Sequence, residues 1–261
     1  MARIAYFLDG AGTKGKRSPV LGAVAARLRW KLNCRTEWLD WEASLMGVGG
    51  TSPWPVASHL AVLALAEKVR ESTDEVILVG FSAGCRPVRE FLEQHPELRD
   101  RVVAVGMVAD PWQPRRRQQH GIVDGPGWGI MGERLTPLPG RTFYVGHPND
   151  PIPRAAGDSL LRYITPASDV VPGQFIREFV HHAHRGRLQL IPFLGLPPHL
   201  WFMGLGPRIA RSIAEAQSYL GDGHTGVYID EYVTRDAHGR QDGRCLAHRL
   251  ADSIAWKVTH P

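Results

Sequence analysis

Ser82 stands between two glycines in Gly80-Phe81-Ser82-Ala83-Gly84, and the apolar run EVILV (75–79) leads straight into it. A serine hydroxyl becomes a nucleophile when a neighbouring base takes its proton and an acid orients that base. A turn from strand to helix suits this chemistry. It places the hydroxyl at a helix N-terminus, where free N–H groups and the helix dipole favour developing negative charge. The N–H of Ala83 is then an expected donor to an oxyanion. Two aspartates close apolar runs further along, Asp110 in VVAVGMVAD and Asp150 in TFYVGHPND, and each is followed by proline. Of the 12 histidines, His224 in GDGHTGVY and His238 in DAHGR lie late in the chain on glycine-containing loops. Serine, aspartate and histidine together are the parts of an acyl-transfer machine.

The elements that must position these groups read as alternating strands and helices. RIAYFL (3–8) is a short buried strand running into the glycine-rich DGAGTKG, and residues 19–33 carry apolar groups at helical spacing. CRTEWLDW is a second short strand. ASHLAVLALAEKVRES (57–72) is a helix with Ser58 as its expected cap. EVILVGFS is strand into turn, AGCRPVREFLEQH a helix, RVVAVGMVAD a strand, and RTFYVGHPND a further strand beyond a loop at 111–140. This alternation predicts a mostly parallel sheet flanked by helices, an α/β chain. RCLAHRLADSIAWKV closes it with an amphipathic helix that groups Leu246, Leu250, Ile254 and Ala255. Residues 152–220 break the alternation with helical patches. They read as a helical insertion within a single domain spanning 1–261.

In this setting G-x-S-x-G is the nucleophile-elbow pattern of α/β-hydrolases, a fold whose triad runs in the order Ser, Asp or Glu, His. Counting strands after the elbow favours Asp150, at the end of the second, over Asp110 at the end of the first. The position after the long insertion favours His224 over His238. Pro87 falls at the margin of the following helix, where only the first turn tolerates proline. Cys85 reads as a small packing residue.

Composition sets outer bounds. A chain of 261 residues with 43% apolar side chains builds a real core. A formal net charge of +5 favours anionic surfaces. Cys34, Cys85 and Cys245 are widely spaced and lack a CxxC pair, which argues against a zinc ribbon and a disulfide framework. His181, His182 and His184 lack HExxH spacing and read as a helix surface rather than a metal site. The N-terminal apolar run is too short for a signal peptide, and no run reaches membrane-spanning length, so synthesis in a cytoplasm without an export signal is expected. The basic PRRRQQ (114–119) reads as a solvated loop rather than an envelope contact. The apolar 188–206, interrupted by Pro192, Pro197 and Pro198, is either a surface that receives an acyl chain or ordinary core.

These residues together resemble lysin B, the cutinase-like esterase of phages of mycobacteria and related hosts. The likeness rests on FLDGAGT after the first strand, the elbow near residue 80, the strand ending in GHPNDPI, and the 74 residues between Asp150 and His224. It implies a cutinase-like α/β-hydrolase that cleaves the ester between mycolic acids and arabinogalactan during host lysis. Ser82, Asp150 and His224 would form its triad, with Ala83 and Ala11 as oxyanion donors. Many relatives carry glutamine after the serine, where this chain has Ala83, and the backbone N–H remains. The expected partner is a mycolyl-arabinogalactan or lipid ester of the cell envelope, with peripheral contact to the outer lipid layer. No nucleic acid, cofactor or metal is expected, and the chain is expected to act as a monomer released at lysis. The competing readings are a cutinase-like esterase or lipase on small or lipid esters, and a non-catalytic envelope-binding module.

Overall fold

A computed structural model describes residues 2–13, 15–44, 50–164, 211–212, 214–215, 222–230, 234–236 and 238–260. Five strands form one sheet: β1 (Arg3–Leu8), β2 (Arg35–Trp38), β3 (Glu75–Phe81), β4 (Val102–Val108) and β5 (Thr142–Val145). Their spatial order is β2-β1-β3-β4-β5, and every pairing is parallel. The long helices are α1 (Pro19–Leu32), α2 (Trp54–Glu71), α3 (Cys85–Gln94) and α6 (Leu246–Thr259). Two single-turn helices, α4 (Pro151–Arg154) and α5 (Leu161–Ile164), follow β5.

The near-continuous apolar strands are explained by burial on both sides, since successive side chains of a strand point to opposite faces. Ala5, Phe7, Ile77 and Val79 enter one core with α1 and α6. Ile4, Tyr6, Leu8, Val76 and Leu78 enter the other with α2 and α3. The apolar face expected on α6 is present, with Leu246, Leu250, Ile254 and Ala255 all buried.

Local chemistry sets the helix ends. Ser18 caps α1, its Oγ accepting from the N–H of Leu21 at 3.2 Å, and Pro19 follows where a missing N–H is harmless. Helix α2 starts at Trp54, three residues earlier than expected. Its N-cap is Pro53, and Ser58 is not a cap. Pro55 fits the first turn of a helix, so the helix begins at the prolines rather than after them. Ser58 is buried and donates to Glu90 Oε2 at 2.6 Å, tying α2 to α3. Most of the helical insertion expected at 152–220 lies outside the described residues. So do the apolar 188–206 and the triplet His181, His182 and His184. Among the described residues no helix is long and apolar enough to cross a membrane.

Candidate active site

Strand β3 delivers Ser82 to the carboxyl edge of the sheet. The backbone of Ser82 has φ 52, in the left-handed region that non-glycine residues rarely occupy. The surroundings hold it there. A Cβ on Gly84 would lie 2.0 Å from the carbonyl oxygen of Leu8, so the turn is wedged against the end of β1. A Cβ on Gly80 would lie 2.8 Å from the backbone of Cys85. Both flanking glycines are therefore required by close backbone approach. Pro87 is the third residue of α3, where its absent N–H has no acceptor within the helix. Cys85 is fully buried and donates to the Val108 carbonyl at 3.3 Å, and burial pushes its thiol well above the usual range. It packs, as expected.

Asp150 lies in the loop beyond β5 and caps α4, its Oδ1 accepting from the N–H of Ile152 at 3.0 Å. His224 ends a short 3₁₀ turn, Asp222–His224. Although 142 residues separate Ser82 and His224 in sequence, Ser82 Oγ and His224 Nε2 are 2.8 Å apart. His224 Nδ1 is 2.8 Å from Asp150 Oδ2. All three side chains are buried. A carboxylate only accepts, so with Asp150 ionised the Nδ1 of His224 carries the proton, and Nε2 is left to accept from the Ser82 hydroxyl. That tautomer is the one general-base chemistry needs.

Two further residues, Tyr228 and Phe81, complete this arrangement. Tyr228 is fully buried and donates its hydroxyl to Asp150 Oδ2 at 2.7 Å, while accepting from the N–H of His147 at 3.1 Å. Burial, reinforced by the charge of Asp150, holds the phenol well above its usual range, so it remains a donor. Phe81 stacks on the His224 ring at 5.1 Å and meets Tyr228 edge-on at 6.2 Å. The residue before the serine thus packs the base it works with. Phe81 resembles any strand-end apolar residue in sequence. Tyr228, however, follows His224 by four residues, and this local spacing was the available signal.

The loop after β1 closes over the elbow. A Cβ on Gly10 would come within 3.2 Å of the Ser82 Cβ. Thr13 Oγ1 donates to the Gly10 carbonyl at 2.6 Å, and the N–H of Gly12 donates to Ala43 at 3.0 Å. Ala11 sits between these two ties, partly buried against the core. Ala83, on the other side, is fully buried directly after Ser82. Ala83 thus adjoins Ser82 in the chain, and Ala11 follows Gly10, the loop residue that abuts the Ser82 side chain. Among the described residues no cluster of His, Cys, Asp or Glu suits a metal ion.

No protein-family model matches the sequence, and no curated protein matches it at sequence level. Solved structures do match. Lysin B from Mycobacteriophage D29 superposes with a TM-score of 0.53 at 14% identity, over 97% of this chain and 98% of that one. A cutinase-like protein from Cryptococcus sp. gives 0.48 at 12% identity, over 59% and 79% of the two chains. The catalytic core of an acetyl xylan esterase from Trichoderma reesei gives 0.43 at 16%, over 67% and 97%. The last two superpose too loosely to bear on the reading; the first extends over both chains almost completely. This is an α/β-hydrolase fold.

Within the α/β-hydrolase frame the rival candidates fall elsewhere. Asp110 is fully buried at the end of β4 and is ion-paired with the equally buried Arg89 of α3. Its Oδ1 accepts from the N–H of Trp112 at 3.0 Å, and Arg89 also donates to the Arg134 carbonyl at 2.6 Å. Both oxygens of Asp110 are thus engaged in anchoring the loop after β4. His238 is exposed on the turn that Asp236 closes by accepting from the N–H groups of His238 and Arg240. Of the sequence candidates, the α/β-hydrolase fold brings Asp150 and His224 to Ser82.

Proposed function

We propose that the chain is a serine esterase of the lysin B type, hydrolysing the ester that joins mycolic acids to arabinogalactan. The observation that carries the esterase reading is the continuous hydrogen-bonded path Ser82–His224–Asp150, at 2.8 Å in each step, on a strained elbow of an α/β-hydrolase fold. The near-complete superposition on lysin B supports the substrate.

In the proposed mechanism His224 Nε2 takes the Ser82 proton as Oγ attacks the ester carbonyl carbon. The tetrahedral oxyanion is held by the N–H of Ala83 and that of Ala11. Asp150 keeps the imidazole oriented and balances its charge as imidazolium. The intermediate collapses when His224 gives that proton to the departing sugar oxygen, leaving the acyl group on Ser82. Water, deprotonated by the same nitrogen, attacks the acyl-enzyme. Collapse then releases the fatty acid and returns the proton to Ser82. No step requires a metal or an organic cofactor. The site of action is the envelope of a mycobacterial-type host, reached at lysis.

The deciding experiment follows release of mycolic acids from purified mycolyl-arabinogalactan, in parallel with hydrolysis of a soluble p-nitrophenyl ester and labelling by a fluorophosphonate. The wild type is expected to score in all three assays, and folded Ser82→Ala in none. Hydrolysis of the soluble ester without mycolate release replaces this substrate with a cutinase-like one. Absence of both turnover and labelling leaves a non-catalytic envelope module.

A further inference from the structure

The loop read as merely solvated lines a cavity of about 720 Å³ on the outer edge of the sheet. Its walls include Arg116, Arg117, Arg244, Arg249 and Trp256. The loop is anchored there. Gln118 forms an isolated parallel bridge with Tyr144 of β5, and its Oε1 accepts from the N–H of Gly146 at 3.0 Å. Arg116 itself has φ 54, in the left-handed region, so the backbone presenting these guanidinium groups is held against its own preference.

The cavity carries surplus positive charge. Asp252 lines it but is already taken by Arg27 at 2.8 and 3.0 Å, Arg244 at 3.4 Å and Lys31 at 3.8 Å. Asp242 engages Arg249 at 3.3 Å and Arg244 at 3.8 Å. Among the described residues, Arg116 and Arg117 are exposed and have no carboxylate partner. Guanidinium groups grip phosphate oxygens in a two-pronged fashion, which makes an arginine-lined cavity a site for phosphate-bearing anions.

One exposed indole is part of its wall, and a second lies on the helix joined to that wall by an ion pair. Trp256, on the cavity wall, is 61% exposed, and Trp30 of α1 is 70% exposed. The Arg27–Asp252 ion pair ties α1 to α6. Trp30 lies about one turn beyond Arg27 and Trp256 about one turn beyond Asp252. Arg27 and Lys31 lie over the Trp30 ring at 4.8 and 4.9 Å. Exposed tryptophans among cations are the side chains that settle at the headgroup level of a lipid surface.

We infer that this face, with Arg116, Arg117 and Trp256 lining the cavity and Trp30 on the adjoining helix α1, binds the phosphodiester headgroups of an anionic phospholipid surface. A nucleic acid offers the same phosphates, but the exposed indoles favour lipid. The inference is independent of the esterase reading, because the cavity lies on the outer edge of the sheet and its test needs no turnover.

The experiment is co-sedimentation with vesicles of phosphatidylglycerol and phosphatidylcholine in equal parts, against vesicles of phosphatidylcholine alone. Wild-type protein is expected to partition onto the anionic vesicles only. Each basic residue at a membrane surface is worth about 1 kcal/mol, so Arg116→Glu/Arg117→Glu should lower the partition roughly tenfold or more. Trp256→Ser should lower it several-fold at unchanged salt. Circular dichroism establishes that the variants are folded. Salt at about 0.5 M should release the wild type, which needs no variant. Equal binding to both vesicle types, or anionic binding that survives both the double substitution and high salt, overturns the inference. Retention on duplex DNA with anionic vesicles ignored overturns it as well, in favour of a nucleic-acid surface.

Discussion

Tyr228 and His224 share one oxygen of Asp150. The phenol donates to Oδ2 at 2.7 Å and the imidazole meets the same atom at 2.8 Å. A carboxylate oxygen that accepts two donors is fixed in direction, and its charge is divided between them. Tyr228→Phe removes one of the two donors that fix it. The imidazole is then less firmly oriented, so kcat for ester hydrolysis should fall while KM stays nearly unchanged. The same change removes the hydroxyl that accepts from the His147 N–H, so stability should fall by about 1–3 kcal/mol in urea unfolding. An unchanged kcat would reduce Tyr228 to a packing residue.

Arg89 and Asp110 form a pair with side chains 1% and 0% exposed. Removing one partner strands the other's charge in the core. Arg89→Met should cost about 3–5 kcal/mol, whereas Arg89→Met/Asp110→Leu should regain much of that loss. Ester hydrolysis per folded molecule should survive in the double variant. If turnover vanished with Asp110 while folding held, the assignment of the acid to Asp150 would be wrong.

Gly84 and Gly22 make a matched contrast. An added methyl at Gly84 meets the Leu8 carbonyl at 2.0 Å, while at Gly22, inside α1, it meets nothing within 4 Å. Gly84→Ala should destabilise by about 3 kcal/mol or more, since the obstacle is backbone and cannot turn aside. Gly22→Ala should instead gain about 0.5–1 kcal/mol by removing a glycine from a helix. Thermal melts of the two variants check both signs.

Asp9 is 4% exposed and accepts from the N–H of Ser18 at 3.0 Å. Burial raises its carboxyl above the usual value, with the Ser18 hydrogen bond only partly opposing. A carboxyl raised in the folded state penalises folding once ionised. That penalty is complete above the folded-state value and is relieved as pH falls through it towards the unfolded value of 3.8. Asp9→Asn keeps an acceptor for Ser18 without the charge. Its melting temperature should exceed that of the wild type at neutral pH, and the gap should close on acidification. A gap that widened in acid would reverse the sign and defeat the argument.

Much of the framework was legible in the residue order. Strand and helix patterns are local, and burial on both faces of a parallel sheet makes each strand a visible apolar run. All five strands stand within the expected stretches. The start of α2 was misjudged because Pro53 and Pro55 signal a loop as readily as a helix start. Only packing against the sheet distinguishes the two.

The site divides in the same way. Gly80-x-Ser82-x-Gly84 is written in five consecutive residues, counting strands favours Asp150, and the position after the long insertion favours His224. The sequence by itself therefore determined the α/β alternation, the elbow and a short list of partners, because each depends on neighbours along the chain. Strand counting favours Asp150 over Asp110, but the contacts of the two belong to tertiary structure. Both end apolar strands before a proline, and only the fold turns one towards His224 and buries the other against Arg89. Tertiary structure likewise decided the shared oxygen of Asp150, the Phe81 stack on His224, and the convergence of Arg116 and Arg117 with Arg244 and Arg249 on one cavity. These contacts join residues as far apart as Phe81 and His224. Proximity of that kind is set by how the layers pack, which no local pattern encodes.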